Sequence, residues 1–153
     1  MKIADFLDVG TIIPNLQGRD KTAVLKEMAE WMASHHPSMV AGELLETLLQ
    51  REKVSSTAIG DGVAIPHGKL RGIKRVYGVF ARSPQGVDFD SLDGGLTYLF
   101  FLLIAPEDSA GDHLKALARI ARLLKDATFR ARLLAGKTAG EISRAIREED
   151  EKI

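Results

Sequence analysis

The residue best placed to do chemistry is His67, which lies between the apolar run 63–65 with Pro66 and the dipeptide Gly68-Lys69. The apolar run predicts a short buried strand, and Pro66 fixes its own φ angle while holding the residue before it extended. We expect His67 on a tight turn at the C-terminal end of that strand, where α/β proteins bind ligands. Neutral imidazole is a competent nucleophile near pH 7, although a lone histidine is more often an ordinary turn residue.

A second candidate is His113, in the run Ser109-Ala110-Gly111-Asp112-His113. Ser109 and Asp112 resemble a helix-capping pattern, which predicts His113 in the first turn of a helix. It is either a solvent-facing residue at the helix start or, because it borders an apolar helix face, a residue pointing into a cleft. Near His67 it would donate a hydrogen bond to a phosphoryl oxygen, and the helix N-terminus would favour the negative charge.

Arg51 lies at the end of a predicted helix, where a basic side chain usually complements the helix dipole. Alternatively, its planar guanidinium clamps a phosphoryl group with two parallel hydrogen bonds. His35 and His36 precede Pro37. Adjacent helix positions face different directions, so we interpret this pair as helix-terminal residues and not as metal ligands.

The glycines invite a nucleotide-binding interpretation, which fails on spacing. A phosphate-binding Walker loop has four residues between its first glycine and Gly-Lys, followed by Ser or Thr; here five separate Gly62 from Gly68, and Leu70 follows the lysine. A dinucleotide fingerprint starting at Gly60 would need a third glycine where Ile65 stands. The sequence therefore argues against nucleotide binding.

A metal site or other cofactor is not expected either. The two candidate histidines with Asp61 or Asp112 could in principle bind zinc, but no HExxH-type spacing is present. The chain has no cysteine, so thiolate ligands, disulfides and cysteine nucleophiles are excluded.

Composition predicts one domain over residues 1–153, with 45% apolar residues. The 21 basic and 21 acidic residues give no net charge, so we expect no nucleic-acid partner, and any phosphate recognition must be local. No segment has the length and apolar character of a signal peptide or membrane span, which predicts a cytoplasmic protein without membrane insertion.

The predicted strands supply the frame that positions these residues. Apolar, β-branched or aromatic runs predict strands at 11–14, 63–65, 76–81 and 96–104, and polar–apolar alternation predicts a short edge strand at 86–90. Helical spacing predicts two helices before His67, the second running over 39–53, and three helices after Pro106. We expect a mixed sheet flanked by helices, an α/β fold.

The helical patterns also predict which faces are buried. The predicted apolar face of the first helix is Val24, Leu25, Met28, Trp31 and Met32, and that of the helix carrying His113 is Leu114, Leu117, Ala118, Ala121 and Leu124. The last helix follows Thr138, which with Glu141 fits a capping box. Its acidic tail, 148–151, is expected to be solvated and frayed.

The run Gly60-Asp61-Gly62-Val63-Ala64-Ile65-Pro66-His67-Gly68-Lys69 resembles the signature of enzyme IIA of the bacterial phosphoenolpyruvate-dependent sugar phosphotransferase system (PTS). The similarity is to the fructose, mannitol and nitrogen-regulatory class. It extends to residues 86–90 and 102–106 and to His113-Leu114. The chain looks most similar to the free-standing nitrogen-regulatory type.

The resemblance implies a phosphotransferase with a phosphohistidine intermediate. His67 would accept a phosphoryl group from an HPr-type phosphocarrier and pass it on or hold it as a signal. His113 matches the second histidine of the family's site, and Arg51 matches an arginine near its phosphoryl pocket. Backbone N–H groups of the glycine-rich turn, including Gly68, would bind phosphoryl oxygens.

The resemblance also implies an α/β sandwich and a choice of outputs. Phosphorylation adds roughly 1.5 to 2 negative charges, enough to change how a regulatory target docks. A separate IIB protein is the other expected acceptor. No IIB or IIC domain and no acceptor cysteine are evident in the chain, so sugar transport by this chain alone is not expected.

Overall fold

The fold is built on one six-stranded mixed sheet, and the computed structural model describes all residues, 1–153. Two short 3₁₀ helices, Ile3–Asp5 and Val9–Thr11, precede the first strand. In chain order the elements are β1 Ile12–Ile13, α1 Lys21–His35, α2 Ala41–Val54, β2 Ala58–Gly60, β3 Val63–Ala64, β4 His67–Leu70, β5 Tyr77–Val87, β6 Thr97–Pro106, α3 Ala110–Leu124, α4 Ala127–Ala135 and α5 Ala139–Glu151.

The central strand of the sheet is β6. On one side β5 pairs with it antiparallel and in turn carries β1 in parallel. On the other side β3 and β4 both pair with β6 in parallel, one after the other, and β2 pairs antiparallel with β3. The expected mixed sheet is confirmed, and β4 forms its edge at the end where β6 leads into α3.

The helices cover both faces of the sheet, because β6 is apolar on both. Its side chains alternate between faces: Phe101 and Leu103 pack with α3, α4 and α5, whereas Phe100 and Leu102 pack with α1 and α2. Such two-sided burial explains the unbroken apolar run at 99–105, each residue of which is at most 3% exposed. The predicted α/β sandwich is therefore confirmed.

The expectation that His67 lies on a turn at a strand end is wrong. His67 is the first residue of β4 and pairs with Leu103 of β6. β3 and β4 both pair with β6, and Pro66 lies in the short break between them. Pro66 has no N–H to give, but its carbonyl accepts the N–H of Leu103 at 2.9 Å. The proline therefore ends one strand and lets the chain re-enter the sheet at the histidine.

The glycine-rich turn also lies elsewhere than expected. Gly60, Asp61 and Gly62 have φ angles of 104°, 56° and 75° and form the turn between β2 and β3. This turn precedes Val63, which is four residues from His67, or about 13 Å along a strand. Gly60 and Gly62 therefore shape the hairpin and do not bind an anion beside His67; among the three predicted glycines only Gly68 borders it.

Three further predictions need correction. Of the proposed edge strand 86–90, only the start is in a strand, since β5 ends at Val87. Trp31 is 36% exposed and donates Nε1–H to the carbonyl of Gly10 at 2.8 Å instead of packing in the core. The fully buried residues of α3 are His113, Ala116, Ile120, Leu123 and Leu124. Of the predicted face, Leu124 is buried and Leu117 and Ala121 pack against the core, whereas Leu114 and Ala118 are exposed.

The acidic tail is not frayed. Residues 148–151 complete α5, and Asp150 is 1% exposed. Its carboxylate accepts the backbone N–H of Ile3 at 2.8 Å and Nε–H of Arg119 at 2.5 Å. This carboxylate satisfies a buried N–H and a largely buried guanidinium, which holds the end of the chain against its start and against α3.

Candidate functional site

A groove of about 500 Å³ lies where α2 and α3 approach each other over the edge strand β4. The four residues singled out from the sequence, Arg51, His67, Gly68 and His113, all line it. Because side chains alternate along a strand, Gly68 faces Thr47 of α2, and His67 faces His113 of α3. The edge strand thus brings groups from both layers of helices to one opening.

The His67 ring is fixed by its own backbone neighbourhood. Nδ1 lies 2.7 Å from the carbonyl oxygen of Ile65, which can only accept, so Nδ1 carries the proton and donates it. Because the proton is on Nδ1, Nε2 is unprotonated and its lone pair is free. Burial lowers the pKa of His67, the Ile65 hydrogen bond opposes this, Arg51 lowers it further, and Glu52 raises it. The net lowering keeps the ring neutral near pH 7.

His113 stands against His67 with its ring edge-on. The ring centroids are 5.3 Å apart with an interplanar angle of 64°. His113 is 7% exposed, and burial, followed by the neighbouring His67 and Lys69, lowers its pKa to about 4. Nδ1 is buried and has no hydrogen-bond partner, so the nitrogen available to a group in the groove is Nε2.

Arg51 ends α2 and also lines the groove. Its Nη1–H donates to the carbonyl of Ser55 at 2.9 Å, which completes the C-terminal end of α2. The remaining guanidinium N–H groups have no partner in the chain, and the side chain lines the groove. An edge of the planar fork is therefore free for an anion.

Gly68 matters through close packing of α2 on β4. A Cβ atom at this position would lie 2.6 Å from Cγ2 of Thr47, closer than two carbons approach without displacement. The absence of a side chain lets the helix that carries Arg51 come against the strand that carries His67. Its φ lies outside the positive range, so the glycine is needed here for space and not for backbone conformation.

The sequence argument missed other residues of the groove. Thr47 precedes Arg51 by four positions, so helical spacing could have placed both on one face. Lys69 was noted only as part of the signature. Leu114 and Leu117 were assigned to the core, yet both border the groove, and Leu114 is 65% exposed.

These groups have the chemistry that an anion site around a nucleophile requires. A neutral imidazole offers a lone pair at Nε2, a second imidazole and a guanidinium stand beside it, and α3 begins at Ala110, on the groove wall. The chain contains no group of three or more His, Asp or Glu side chains arranged to hold a metal ion. None of the helices is both long enough and apolar enough to cross a membrane.

Comparison with known proteins identifies the family. Residues 5–149 match the family described as "Phosphoenolpyruvate-dependent sugar phosphotransferase system, EIIA 2", and the chain belongs to this family. A nitrogen regulatory protein of Bradyrhizobium diazoefficiens is 45% identical over 142 residues, which cover 93% of this chain and 92% of that protein. Membership implies phosphotransfer in general, and the recognition of the PTS enzyme IIA class from the sequence is confirmed.

Solved structures agree with this assignment. The nitrogen regulatory protein IIA-Ntr of Neisseria meningitidis superposes with a TM-score of 0.88 at 31% identity, covering 94% of this chain and 98% of that one. The IIA–phosphorylated IIB mannitol complex of Escherichia coli gives a TM-score of 0.76 over 93% of this chain and 97% of that one. At 19% identity the latter similarity supports the fold alone.

Proposed function

We propose that this protein is a phosphocarrier that accepts a phosphoryl group on Nε2 of His67 from an HPr-type phosphocarrier. The observation that carries the proposal is the hydrogen bond from Nδ1 of His67 to the Ile65 carbonyl, at 2.7 Å. It selects the tautomer with a free lone pair on Nε2 and stabilises the positive charge that the ring acquires when Nε2 forms a bond.

The transfer step exchanges one nitrogen–phosphorus bond for another. Nε2 of His67 attacks phosphorus in line with the donor's phosphohistidine, the donor N–P bond breaks, and the donor leaves as a neutral imidazole. No proton needs to move in this exchange. The catalytic contribution is alignment and stabilisation of charge on the three equatorial oxygens.

His113 and Arg51 are the proposed phosphoryl-binding side chains. With Nδ1 buried and unpartnered, Nε2–H of His113 is the donor available to an oxygen on His67. The arriving negative charge raises the pKa of His113 from its value of about 4, which strengthens the bond after transfer. Arg51 supplies the free edge of its guanidinium. The expected binding of oxygens by the N–H of Gly68 needs correction: because Leu103 donates to the Pro66 carbonyl, the parallel pairing directs the Gly68 N–H to β6, and Gly68 serves the groove only by its lack of a side chain.

We further propose that residues 1–153 form one enzyme IIA domain with a regulatory output. The two hydrophobic clusters share one sheet, which supports a single folding unit. The similarity to nitrogen regulatory proteins favours a signal read by other proteins, with the exposed Leu114 at the rim as contact surface. Because the relay starts from phosphoenolpyruvate, a metabolite of the cytoplasm, we propose that location.

Reconstitution tests the phosphocarrier function. The protein is incubated with phosphoenolpyruvate, enzyme I and an HPr-type carrier, and its intact mass is measured. We expect the added mass of one acid-labile phosphoryl group in the wild type and in His35→Gln, whose histidine is exposed and lies on α1, and none in His67→Gln. Equal labelling of His67→Gln would refute the proposal.

A second candidate function is delivery of the phosphoryl group to a separate IIB protein. The observation in its favour is the similarity in fold to the mannitol IIA of E. coli, whose structure is a complex with phosphorylated IIB. Pull-downs with phosphorylated wild type and with His67→Gln distinguish the outputs. Partners that depend on phosphorylation and receive no phosphoryl group support regulation, whereas transfer to a recovered cysteine-containing acceptor supports delivery.

A further inference from the structure

The buried carboxylate of Glu52 lies outside the proposed transfer step. Its side chain is 5% exposed, and Nζ of Lys21, at the start of α1, lies 2.9 Å from Oε1. Glu52 follows Arg51 directly in α2, but it points inward, where a charge is costly unless every oxygen is paired. Its remaining partners show what the carboxylate holds.

Both polar groups of Thr57 bind this carboxylate. Thr57 donates its backbone N–H to Oε1 at 3.1 Å and its hydroxyl to Oε2 at 2.5 Å. Thr57 is 4% exposed and lies one residue before β2. The carboxylate therefore fixes both the position and the orientation of this residue at the end of the α2–β2 connection.

The backbone of Thr57 in turn holds Ile65. The carbonyl of Thr57 accepts the N–H of Ile65 at 3.1 Å. This bond lies next to Ala58 and Ala64, the last residue pair of the β2–β3 ladder. Pro66 has no N–H, so the N–H of Ile65 is the last backbone donor before that of His67 itself. The Ile65 carbonyl is the acceptor that binds Nδ1 of His67.

We propose that Glu52 and Thr57 are positioning residues for His67, acting through Ile65 to hold the imidazole in its reactive tautomer and orientation. The inference rests on the proposed function of His67 as phosphoryl acceptor. His67 donates to the Ile65 carbonyl, Ile65 donates its N–H to the Thr57 carbonyl, and Thr57 donates its N–H and hydroxyl to Glu52. The effect along this path is mechanical, because each step passes through a tetrahedral Cα and not through a conjugated peptide group. The charge of Glu52 also raises the pKa of His67 directly, so Thr57→Val, which keeps that charge, is the variant that isolates the positioning effect.

The test combines a spectroscopic readout with the transfer rate. In protein labelled with ¹⁵N at histidine, the ring-nitrogen shifts report which nitrogen of His67 carries the proton. Thr57→Val keeps the shape of the side chain and removes the donor to Glu52; Thr57→Ser keeps the donor. Thr97→Val is the matched control, because Thr97 is fully buried on β6 with an unpartnered hydroxyl, far from His67.

We expect the wild type and Thr97→Val to show the Nδ1–H tautomer and equal transfer rates. Thr57→Val should show a mixture of tautomers and a transfer rate lower by about tenfold to a hundredfold, the upper figure being the loss that a 1 Å misplacement of a reacting group produces. Thr57→Ser should restore the Nδ1–H tautomer and most of the rate. Glu52→Gln, which keeps the side-chain shape, should fall between, and it carries the same test if Thr57→Val does not fold.

If folded Thr57→Val shows the ring-nitrogen shifts of the wild type, the positioning role is overturned. If only Glu52→Gln folds, the same result in that variant overturns it. A loss of stability without a change in the His67 tautomer would do the same, because a merely structural role predicts that result. If the wild type takes up no phosphoryl group on His67, the proposed function fails. The ring-nitrogen spectra still decide whether Glu52 and Thr57 set the tautomer.

Discussion

Replacing Asp150 with alanine tests whether the acidic end of the chain is part of the folded core. The variant leaves the N–H of Ile3, which is 1% exposed, without an acceptor, at a cost of about 1–3 kcal/mol. It also removes the carboxylate that binds Arg119, and breaking a buried ion pair costs about 3–5 kcal/mol. The two costs describe one carboxylate and are not summed.

The lower end of this range applies to Asp150→Ala. The Arg119 side chain is 18% exposed, and its Nη2 still donates to the carbonyls of residue 150 and Ile153, at 2.8 and 3.2 Å. We therefore expect a loss of about 3 kcal/mol in the free energy of unfolding and a fall in melting temperature of about 6–12 °C for a chain of this size.

Urea denaturation and thermal melting measure this effect, with Glu151→Ala as the control. Glu151 is an exposed neighbour in the same acidic run, and its replacement should change stability by less than about 0.5 kcal/mol. Equal, small effects of both substitutions would show that the tail is frayed. That result would refute the burial argument for Asp150.

Three further predictions concern the groove. The pKa of His113 is about 4 when folded against 6.5 as a reference, so the unfolded state takes the proton first, and stability present above pH 6.5 should fall towards pH 4. His113 contributes at most about 1.4 kcal/mol per pH unit to this slope, and urea titrations of His113→Asn should lack that contribution while keeping those of His67 and His36, whose pKa values are also lowered by burial. A slope equal to that of the wild type would contradict the burial of a neutral His113. Gly68→Ala should lower the free energy of unfolding by about 1–3 kcal/mol in the wild type. The loss should be clearly smaller in a Thr47→Ser background, because that substitution removes the methyl group that the new Cβ would clash with. Equal losses in both backgrounds, measured by urea denaturation, would contradict the contact. Arg51→Lys should slow phosphotransfer by about tenfold with little change in melting temperature, because the planar fork is lost and the charge is kept; an unchanged rate would limit Arg51 to ending α2.

Local pattern was sufficient to predict most of the sheet and helices. The run 96–104 could be recognised as a strand, since β6 is buried on both faces over 99–105 and shows no polar alternation there. Thr138 caps α5 as expected, its hydroxyl accepting the N–H of Glu141 at 3.1 Å. Such features depend on a few neighbouring residues, so they can be predicted from a single sequence.

The errors arose where distant parts of the chain decide the structure. A proline after a short strand suggests a turn, and only the pairing of β4 with β6 returns His67 to the sheet. Leu114 was placed in the core because its apolar character fits a buried helix face, but that position borders the groove. Burial of Asp150 depends on Ile3, 147 residues away, and local charge pattern carries no information about it.

The residues of the candidate site were predicted from the sequence, but the contacts that position them were not. His67, His113, Arg51 and Gly68 were chosen from the sequence, and the groove brings all four together. The Ile65 carbonyl that fixes the His67 tautomer belongs to the backbone, and side-chain patterns do not indicate backbone acceptors. Gly68 was expected to bind oxygens through its N–H, but the pairing of β4 with β6 directs this N–H into the sheet, and the close contact with Thr47 makes the glycine a packing requirement instead.

The most direct test of the account is the identity of the atom that carries the phosphoryl group. Protein labelled with ¹⁵N at histidine is phosphorylated through enzyme I and an HPr-type carrier, and ¹⁵N–³¹P coupling is measured. The account predicts one phosphorus atom coupled to Nε2 of His67, with the proton retained on Nδ1 beside the Ile65 carbonyl. Coupling to Nδ1 of His67, or to any other histidine, would contradict it.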